Sequence, residues 1–326
     1  MTASLGEFDL IARYFTRPVR RAALGVGDDC ALLPAPAAGE QLAVSSDMLV
    51  EGRHFLPDVD PEALGHKALA VNLSDLAAMG AQPLAFTLAL ALPQADALWL
   101  EPFARGLFAL ADAHAIELVG GDTTRGPRNL CLTVLGTVPQ GQALRRSGAR
   151  PGDDLWVSGT VGDARLALGH RLGEWSLHAT AQPAAFARMD RPTPRVALGL
   201  ALRGVAHAAI DVSDGLLADL GHVLEQSQVG VTVAVDACPA SPALLQQPAA
   251  RRRLCQLAGG DDYELLFTAP PTARNAVLAA AARADTAVTR IGQIDAQPGL
   301  RLIDAQGQAV DNVYAGFDHF RPDPTV

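Results

Sequence analysis

Apolar positions along this chain recur at helical spacing in some stretches and form short continuous runs in others. Leu69, Leu73 and Leu76 form the clearest helical stripe, within a stretch that starts at Pro61 and stops at Gly80. Proline in the first turn and glycine after the last are typical helix boundaries, so a helix is predicted over 61–80. Similar patterns predict further helices over 8–15, 97–113, 195–203, 216–227 and 276–284.

Short apolar runs alternate with these helices and predict strands over 30–33, 42–44, 84–92, 117–119, 130–138, 155–158, 208–210, 229–235, 263–268 and 300–303. Several of the runs lead directly into acidic motifs, so acidic side chains are expected where strands end. Strands that alternate with helices indicate an α/β (α+β) fold.

A stretch rich in breakers and charges divides the chain. Residues 145–153 read Arg-Arg-Ser-Gly-Ala-Arg-Pro-Gly-Asp, which is a composition typical of a linker. The chain has 326 residues, enough for each half to bury its own core. We therefore predict two domains, 1–145 and 146–326.

Charge and composition argue against several classes of function. The net charge is −9, and the one compact basic run, Arg251-Arg252-Arg253, is expected to be a solvated helix face, so no nucleic-acid partner is predicted. The longest apolar run, 86–92, is too short to cross a bilayer, and the N-terminus has no signal-peptide pattern, so no membrane association is predicted. Four cysteines without metal or CxxC spacing indicate reduced thiols in a cytoplasmic protein.

The candidate chemistry lies in a series of acidic motifs set among Gly, Ser and Thr. Carboxylate and hydroxyl oxygens on tight turns are suited to holding Mg²⁺ against nucleotide phosphates, so the series points to phosphoryl transfer. The motifs are Gly27-Asp28-Asp29, Ser45-Ser46-Asp47, Ser74-Asp75, Gly120-Gly121-Asp122-Thr123-Thr124, Asp211-Val212-Ser213-Asp214-Gly215 and Gly259-Gly260-Asp261-Asp262.

The motif from Asp211 to Gly215 is the most specific of these. It follows an apolar strand and precedes a helix, and Ser213 or Asp214 is expected to cap that helix. Two carboxylates at one helix start repel each other, and a bound cation would relieve this repulsion. Asp219, one turn further on, is expected to be an exposed helix carboxylate.

Other motifs leave alternatives open. The Gly120 motif is either a ligand-binding loop or a tight turn with a capping Asp, and the Gly27 motif is either a ligand site or surface. Arg146 could clamp a phosphate or be a solvated linker residue. The loop from Gly159 to Asp163 lacks the Walker and dinucleotide patterns and favours a simple turn.

The ordered set of motifs resembles the thiamine-monophosphate kinase family. The resemblance rests on Gly27-Asp28-Asp29-Cys30-Ala31, on 72–81, on 120–126, on 211–215 and on 259–265, and it extends from Gly6-Glu7-Phe8 to the tail Gly316-Phe317-Asp318-His319-Phe320. It implies a two-domain aminoimidazole-ribonucleotide-synthetase-like fold whose N-terminal domains, here 1–145, bind ATP and Mg²⁺ and pair across a homodimer into a β-barrel. It also implies the transfer of phosphate from ATP to thiamine monophosphate, giving thiamine diphosphate.

The resemblance further implies roles for individual residues. Metal ligands fall on Asp29, Ser45, Ser46, Asp47, Asp75, Asp122, Asp211 and Asp214. Nucleotide positions fall on Gly121, Asp122, Arg146 and Ser213, and the residues expected to carry catalysis are Asp75, Asp122 and Arg146. Substrate positions fall on His54, on Asp261 and on a tail aromatic, for which Tyr314 and Phe317 are both candidates.

Two departures from the family pattern affect the substrate contacts, because members often have Glu at the position of Asp261 and Trp at that of Tyr314. Other ATP-using enzymes of the superfamily are alternatives. The hydrogenase-maturation dehydratase calls for a C-terminal cysteine. Selenophosphate synthetase calls for a reactive cysteine or selenocysteine near the N-terminus, whereas the earliest cysteine here is Cys30. This chain has neither. A non-catalytic sensor of nucleotide or thiamine phosphate is the alternative from a different class.

Overall fold

The computed structural model describes residues 6–314 and 316–317, which divide into two units. Unit 1 contains the described residues up to Leu76 together with Ala81–Ala143, and unit 2 contains Ala77–Gly80 together with the described residues from Leu144 onward. Within the described part of the chain, no helix has the length and apolar character needed to cross a bilayer.

Unit 1 is built on a four-stranded sheet with two long helices. The helices are α1 (Glu7–Leu10), followed by a π-helical turn (Ile11–Phe15), α2 (Pro61–Ala78) and α3 (Ala97–Ala113). The strands are β1 (Glu40–Val50), β2 (Gln82–Leu92), β3 (Glu117–Arg125) and β4 (Asn129–Pro139), in the order β1-β4-β2-β3. Only β2 and β3 run parallel to each other.

Alternation along β1 gives the unit 1 sheet two different faces. Ala43, Ser45, Asp47 and Leu49 are the less exposed positions of β1, and the residues between them face solvent. The Leu69, Leu73 and Leu76 stripe of α2 is fully buried, as its spacing predicts.

Close packing between α2 and α3 depends on two glycines. A Cβ on Gly65 would lie 2.0 Å from the Phe103 carbonyl oxygen, and one on Gly106 would lie 1.9 Å from that of Glu62. The two helix backbones therefore touch at positions where no side chain fits.

Unit 2 is built on a seven-stranded mixed sheet in the order β11-β10-β7-β9-β5-β8-β6. Its strands are β5 (Asp154–Ser158), β6 (Ala208–Asp211), β7 (Gly230–Ala234), β8 (Leu265–Ala269), β9 (Val288–Asp295), β10 (Gly299–Ile303) and β11 (Ala309–Val310). Its helices are α4 (Asp163–Arg171), α5 (Gln182–Asp190), α6 (Val196–Ala201), α7 (Leu216–Ser227), α8 (Pro242–Leu245), α9 (Ala249–Ala258) and α10 (Arg274–Arg283).

Several sequence predictions need correction. Residues 30–33 form no strand, and only Leu32 makes an isolated bridge, to Leu24. The opening helix buries Leu10, Tyr14 and Phe15, whereas Phe8 is exposed. The basic triplet lies on α9 but is half-buried, because Arg253 pairs with Asp236 and Arg251 lies over the Trp175 ring.

Two acidic motifs predicted at strand ends lie inside strands. Strand β1 continues from the predicted run through Ser45-Ser46-Asp47 to Val50, and β3 continues through the Gly120 motif to Arg125. Both extensions are paired with neighbouring strands, β4 and β2. Long-range pairing therefore extends strands through residues whose local preference is for turns.

Candidate active site

In unit 1, a serine on β1 and an aspartate on α2 are joined directly. The Ser45 hydroxyl donates a short hydrogen bond to the Asp75 Oδ2. Asp75 is half-buried on the flank of the apolar stripe of α2, and Ser45 lies on the less exposed side of β1. Two oxygen ligands predicted from separate motifs are thus brought together.

Asn72 fixes the next predicted ligand of β1. Its side chain is fully buried, its Nδ2 donates to the Ala68 carbonyl at 2.9 Å, and its Oδ1 accepts from the Asp47 N–H at 3.1 Å. Because Asp47 is two residues from Ser45, both side chains lie on the same side of the strand. Asn72 therefore holds this part of β1 against α2.

Ser46 lies on the opposite side of β1 from Ser45 and Asp47. Its hydroxyl donates to the Leu132 carbonyl at 2.9 Å and is 3.0 Å from the Thr133 hydroxyl of β4. The strand alternation thus separates Ser46 from its neighbours in the predicted ligand set.

Asp122 and Gly121 lie at the other edge of the unit 1 sheet. Gly121 pairs with Leu88 of β2, Leu88 pairs with Leu132 of β4, and Leu132 pairs with Asp47. Three strand spacings separate β3 from β1, roughly 14 Å between backbones along the sheet. The register therefore does not bring Asp122 next to Asp47 within the sheet.

The packing of the sheet itself explains why residue 121 is a glycine. Its φ is +150°, and a Cβ there would lie 1.9 Å from the Leu88 carbonyl oxygen. The close approach of β2 therefore requires glycine, with or without a nucleotide.

His54 folds back onto the end of β1. Its Nδ1 accepts a hydrogen bond from the Val50 N–H at 3.0 Å, in a half-buried position. With Nδ1 as the acceptor, a neutral ring carries its proton on Nε2.

Asp29 lies in an exposed bend, where its N–H donates to the Asp28 Oδ1 at 2.8 Å.

In unit 2, the turn after β6 is organised by a buried carboxylate. Asp219 Oδ2 accepts the N–H groups of Ser213, Asp214 and Gly215 at 3.0, 3.1 and 3.1 Å. The prediction that Asp219 is an exposed helix residue is wrong, because its side chain turns back to these N–H groups and is only 3 % exposed. Burial, together with the Asp214 carboxylate, raises the pKa of Asp219 to about 7, although the three N–H bonds act in the opposite direction.

The predicted side-chain cap of α7 is also absent from this turn. Gly215 is the N-cap residue and makes no side-chain bond, so neither Ser213 nor Asp214 caps the helix in the way its sequence predicts. Asp211 ends β6 as predicted and is buried, whereas Ser213 and Asp214 are half-buried.

The Gly259 motif packs its backbone on the same turn. The Asp261 N–H donates to the Ser213 carbonyl and the Tyr263 N–H to the Val212 carbonyl, both at 2.8 Å. A Cβ on Gly260 would lie 2.2 Å from the Ser213 oxygen, so this approach requires glycine. Asp261 and Tyr263 have φ values of +70° and +52°, which are unfavourable for residues with side chains and concentrate at functional sites.

Tyr263 also orients the side chain of Asp261, because its hydroxyl donates to the Asp261 Oδ1 at 3.0 Å. The residue after it, Glu264, is fully buried and accepts hydrogen bonds from Ser158, Arg188 and Arg195. A Cβ on Gly159 would lie 2.2 Å from the Glu264 Oε1, so glycine at this position leaves room for the carboxylate. This packing agrees with the prediction that the Gly159 loop is a simple turn.

The tail reaches the same turn. The Phe317 N–H donates to the Asp214 carbonyl at 3.0 Å, and the Phe317 side chain is 41 % exposed. Tyr314 instead packs against the hydrophobic core of unit 2. Of the two candidate aromatics, Phe317 is the one whose backbone is attached to the acidic turn.

Arg146 lies away from this turn in unit 2. Its carbonyl accepts a hydrogen bond from the hydroxyl of Ser227, which is the last residue of α7. The Ser213 turn lies at the other end, just before the first residue of this helix. Helix α7 has 12 residues and is therefore about 18 Å long. The exposed Arg146 side chain and Ser213 thus lie near opposite ends of one helix.

The donor sets fit a hard cation. Ser45, Asp47 and Asp75 in unit 1, and Asp211, Ser213 and Asp214 in unit 2, offer only hydroxyl and carboxylate oxygens, which Mg²⁺ prefers. Among the described residues, no three acidic, histidine or cysteine side chains form a group that could hold a metal. Mg²⁺ also takes phosphate oxygens and water as ligands.

Sequence reasoning missed three residues that hold the predicted ones in place, namely Asn72, Asp219 and Tyr263. Asn72 precedes Asp75 by three residues on one helix, which places the two together but does not show which strand they meet. For Asp219, the only available signal was an aspartate in the first turn of a helix that follows an acidic motif. Nothing local indicates the positive φ of Tyr263.

The chain is similar to known families and proteins over most of its length. The family model for AIR synthase related protein matches its N-terminal domain to residues 27–138 and its C-terminal domain to residues 150–305. A thiamine-monophosphate kinase of Salmonella typhimurium is 49 % identical over 327 residues, which cover 97 % of this chain and 98 % of the relative.

Solved structures are similar over most of the chain. The crystal structure of thiamine-monophosphate kinase from Stenotrophomonas maltophilia K279a has a TM-score of 0.83 and 49 % identity, covering 92 % of this chain and 95 % of that one. AaThiL complexed with AMPPCP and TMP has a TM-score of 0.77 and 30 % identity, covering 88 % of this chain and 90 % of that one. The chain therefore belongs to the AIR synthase related proteins and, among them, to the thiamine-monophosphate kinase family.

Proposed function

We propose that this protein phosphorylates thiamine monophosphate with ATP, giving thiamine diphosphate and ADP. The observation that carries the proposal is the similarity, over 88 % of this chain, to a structure that binds AMPPCP and TMP together. AMPPCP is an ATP analogue with a methylene group in place of the bridging oxygen between the β- and γ-phosphates. The binding of this analogue and TMP to one protein supports direct transfer of a phosphate between the two ligands.

The reaction needs no covalent enzyme intermediate. A phosphate oxygen of thiamine monophosphate attacks the γ-phosphorus of ATP, a new P–O bond forms, and the bond to the β–γ bridging oxygen breaks. The attacking oxygen is already ionised near pH 7, so no side chain has to remove a proton first. ADP leaves with the electron pair of the broken bond.

The protein's part is to position two anions against each other. Mg²⁺, when bound, would neutralise phosphate charge. The residues proposed to hold Mg²⁺ are Ser45, Asp47 and Asp75 in unit 1, and Asp211 and Asp214 in unit 2. Asp122, Gly121, Arg146 and Ser213 are proposed for the nucleotide, and Asp29 and Ser46 remain proposed ligands. His54, Asp261 and Phe317 are proposed for the thiamine phosphate, with Tyr314 as the other aromatic candidate.

We also propose that the protein is a homodimer in the cytoplasm. Strand β1 is an edge strand of 11 residues, and its outer face exposes Leu42, Val44 and Met48. Long apolar edges are normally covered, and a second copy of the sheet would cover this one. All four cysteines are free, which fits a reducing compartment.

The experiment that tests the activity is incubation of the purified protein with ATP, Mg²⁺ and thiamine monophosphate, followed by chromatography. We expect thiamine diphosphate and ADP in equal amounts, with neither formed when Mg²⁺ is chelated. Hydrolysis of ATP without thiamine diphosphate, or binding of both ligands without turnover, would overturn the proposal. The latter result would support the sensor alternative.

A further inference from the structure

The three N–H groups that directly precede the first residue of helix α7 are all bound by one carboxylate. The first N–H groups of a helix lack partners within the helix and often bind anions. Here the N–H groups of Ser213, Asp214 and Gly215, just before the helix begins, all donate to the Asp219 Oδ2. A carboxylate from the helix itself thus holds the N–H groups of the preceding turn.

This occupation changes what the turn can present to a ligand. With its N–H groups directed at Asp219, the turn offers the side chains of Asp211, Ser213 and Asp214 instead. These are oxygen ligands, so the turn is suited to cations.

The carbonyl groups of the same turn hold two other predicted substrate elements. The Ser213 carbonyl accepts the Asp261 N–H at 2.8 Å, and the Asp214 carbonyl accepts the Phe317 N–H at 3.0 Å. The tail approaches closely, because a Cβ on Gly316 would lie 2.3 Å from the Ala218 Cβ. The position of this turn therefore fixes the backbones of Asp261 and Phe317 as well.

We propose that Asp219 is a positioning residue, which sets the Ser213–Gly215 turn and, through its carbonyls, the Asp261 loop and the Phe317 tail. The inference rests on the proposed function for its effect on turnover, but the structural link it describes is independent of the reaction. Asp219 acts through the turn, whose three N–H groups it accepts.

The test compares three variants of the full-length protein. Asp219→Ala removes the acceptor, and Asp219→Asn keeps one oxygen that can accept the same N–H groups. Glu225→Ala changes an exposed carboxylate on the same helix. For each variant, KM for ATP, KM for thiamine monophosphate, kcat, and amide hydrogen exchange of the peptides containing 211–217 and 316–317 are measured.

We expect Asp219→Ala to raise both KM values and to lower kcat/KM on the order of 10-fold or more, because small displacements of positioning groups are costly. Exchange should accelerate in both peptides. In Asp219→Asn, both KM values and the exchange rates should be close to those of the wild type. Glu225→Ala should match the wild type. Unchanged KM values and exchange in folded Asp219→Ala would overturn the proposal.

Gly316→Ala keeps the test decisive if Asp219→Ala does not fold. With Asp219 intact, the added Cβ must displace the tail, so KM for thiamine monophosphate should rise while KM for ATP and exchange over 211–217 stay unchanged. A wild-type KM for thiamine monophosphate in Gly316→Ala would overturn the link between turn and tail. A wild-type protein without kinase activity would instead refute the proposed function, and the exchange measurements would still decide the role of Asp219.

Discussion

The Ser45 hydroxyl donates a hydrogen bond to the carboxylate of Asp75, which joins strand β1 to helix α2 across 30 residues of sequence. Asp75 is therefore not a freely solvated helix carboxylate. Its contact with Ser45 brings two of the predicted metal ligands together.

The first prediction concerns the charge of Asp75. Asp75→Asn keeps the size of the side chain and an oxygen that can accept from Ser45, but it removes the negative charge. We expect kcat to fall on the order of 10²-fold or more, as when one preorganised electrostatic group is lost, with a nearly unchanged melting temperature. Rates measured over a Mg²⁺ titration should show partial recovery at high Mg²⁺.

Glu101→Gln, an exposed substitution on α3 of the same unit, is the control and should behave as the wild type. Near-normal turnover of Asp75→Asn at low Mg²⁺ would show that the charge has no part in holding metal.

The second prediction separates the two tail aromatics. Phe317 is partly exposed and is attached to the Asp214 carbonyl, so Phe317→Ala should raise KM for thiamine monophosphate with little change in KM for ATP. An aromatic face there can contact the cationic thiazolium ring. Tyr314→Ala should mainly lower the melting temperature, because Tyr314 packs against the core. The reverse pattern would assign the thiamine contact to Tyr314.

The third prediction concerns the outer face of β1. Val44 is 59 % exposed in the middle of β1, the edge strand that pairs with β4, and in the proposed dimer it would be buried. Val44→Asp should therefore dissociate the dimer, because an unpaired charge is costly to bury. Light scattering should show a change from twice 34.0 kDa to 34.0 kDa.

Leu98→Asp is the matched control for Val44→Asp, since Leu98 is 87 % exposed and lies on α3 rather than on β1. It should remain dimeric. A wild-type protein that is monomeric at micromolar concentration would refute the dimer itself.

The fourth prediction uses the pH dependence of stability. Asp154 is buried and accepts hydrogen bonds from Arg274 and Arg290, and the Arg274 bond in particular lowers the pKa of Asp154. An acid whose pKa is lower in the folded state stabilises the protein above its unfolded pKa, and that stabilisation is lost as the pH falls through the folded pKa. Asp154→Asn should thus lower the melting temperature by several degrees at pH 7.

The difference between Asp154→Asn and the wild type should shrink as the pH falls below about 4, the ordinary pKa of aspartate. Melting curves from pH 3 to pH 7 measure it. A difference that stays constant over this range would mean that packing, rather than charge, accounts for the loss.

Local sequence determined several of the helices and the strongest motifs, whereas it did not predict α5 or α8. The boundaries of α3 and α7 agree with the apolar spacing, and α2 buries its predicted stripe. These features depend on residues within a few turns of one another, so their signals are present in the sequence itself. The order of the acidic motifs likewise identified the family.

Only the tertiary structure decided which of these residues meet. Pairing with β4 carries β1 through Ser45-Ser46-Asp47, and the alternation of that strand separates Ser46 from Ser45 and Asp47. Folding of α7 against its own preceding turn buries Asp219, and the tail reaches Asp214 from 103 residues away. These relationships depend on backbone hydrogen bonds and close contacts between distant segments, which local patterns of hydrophobicity and charge do not specify.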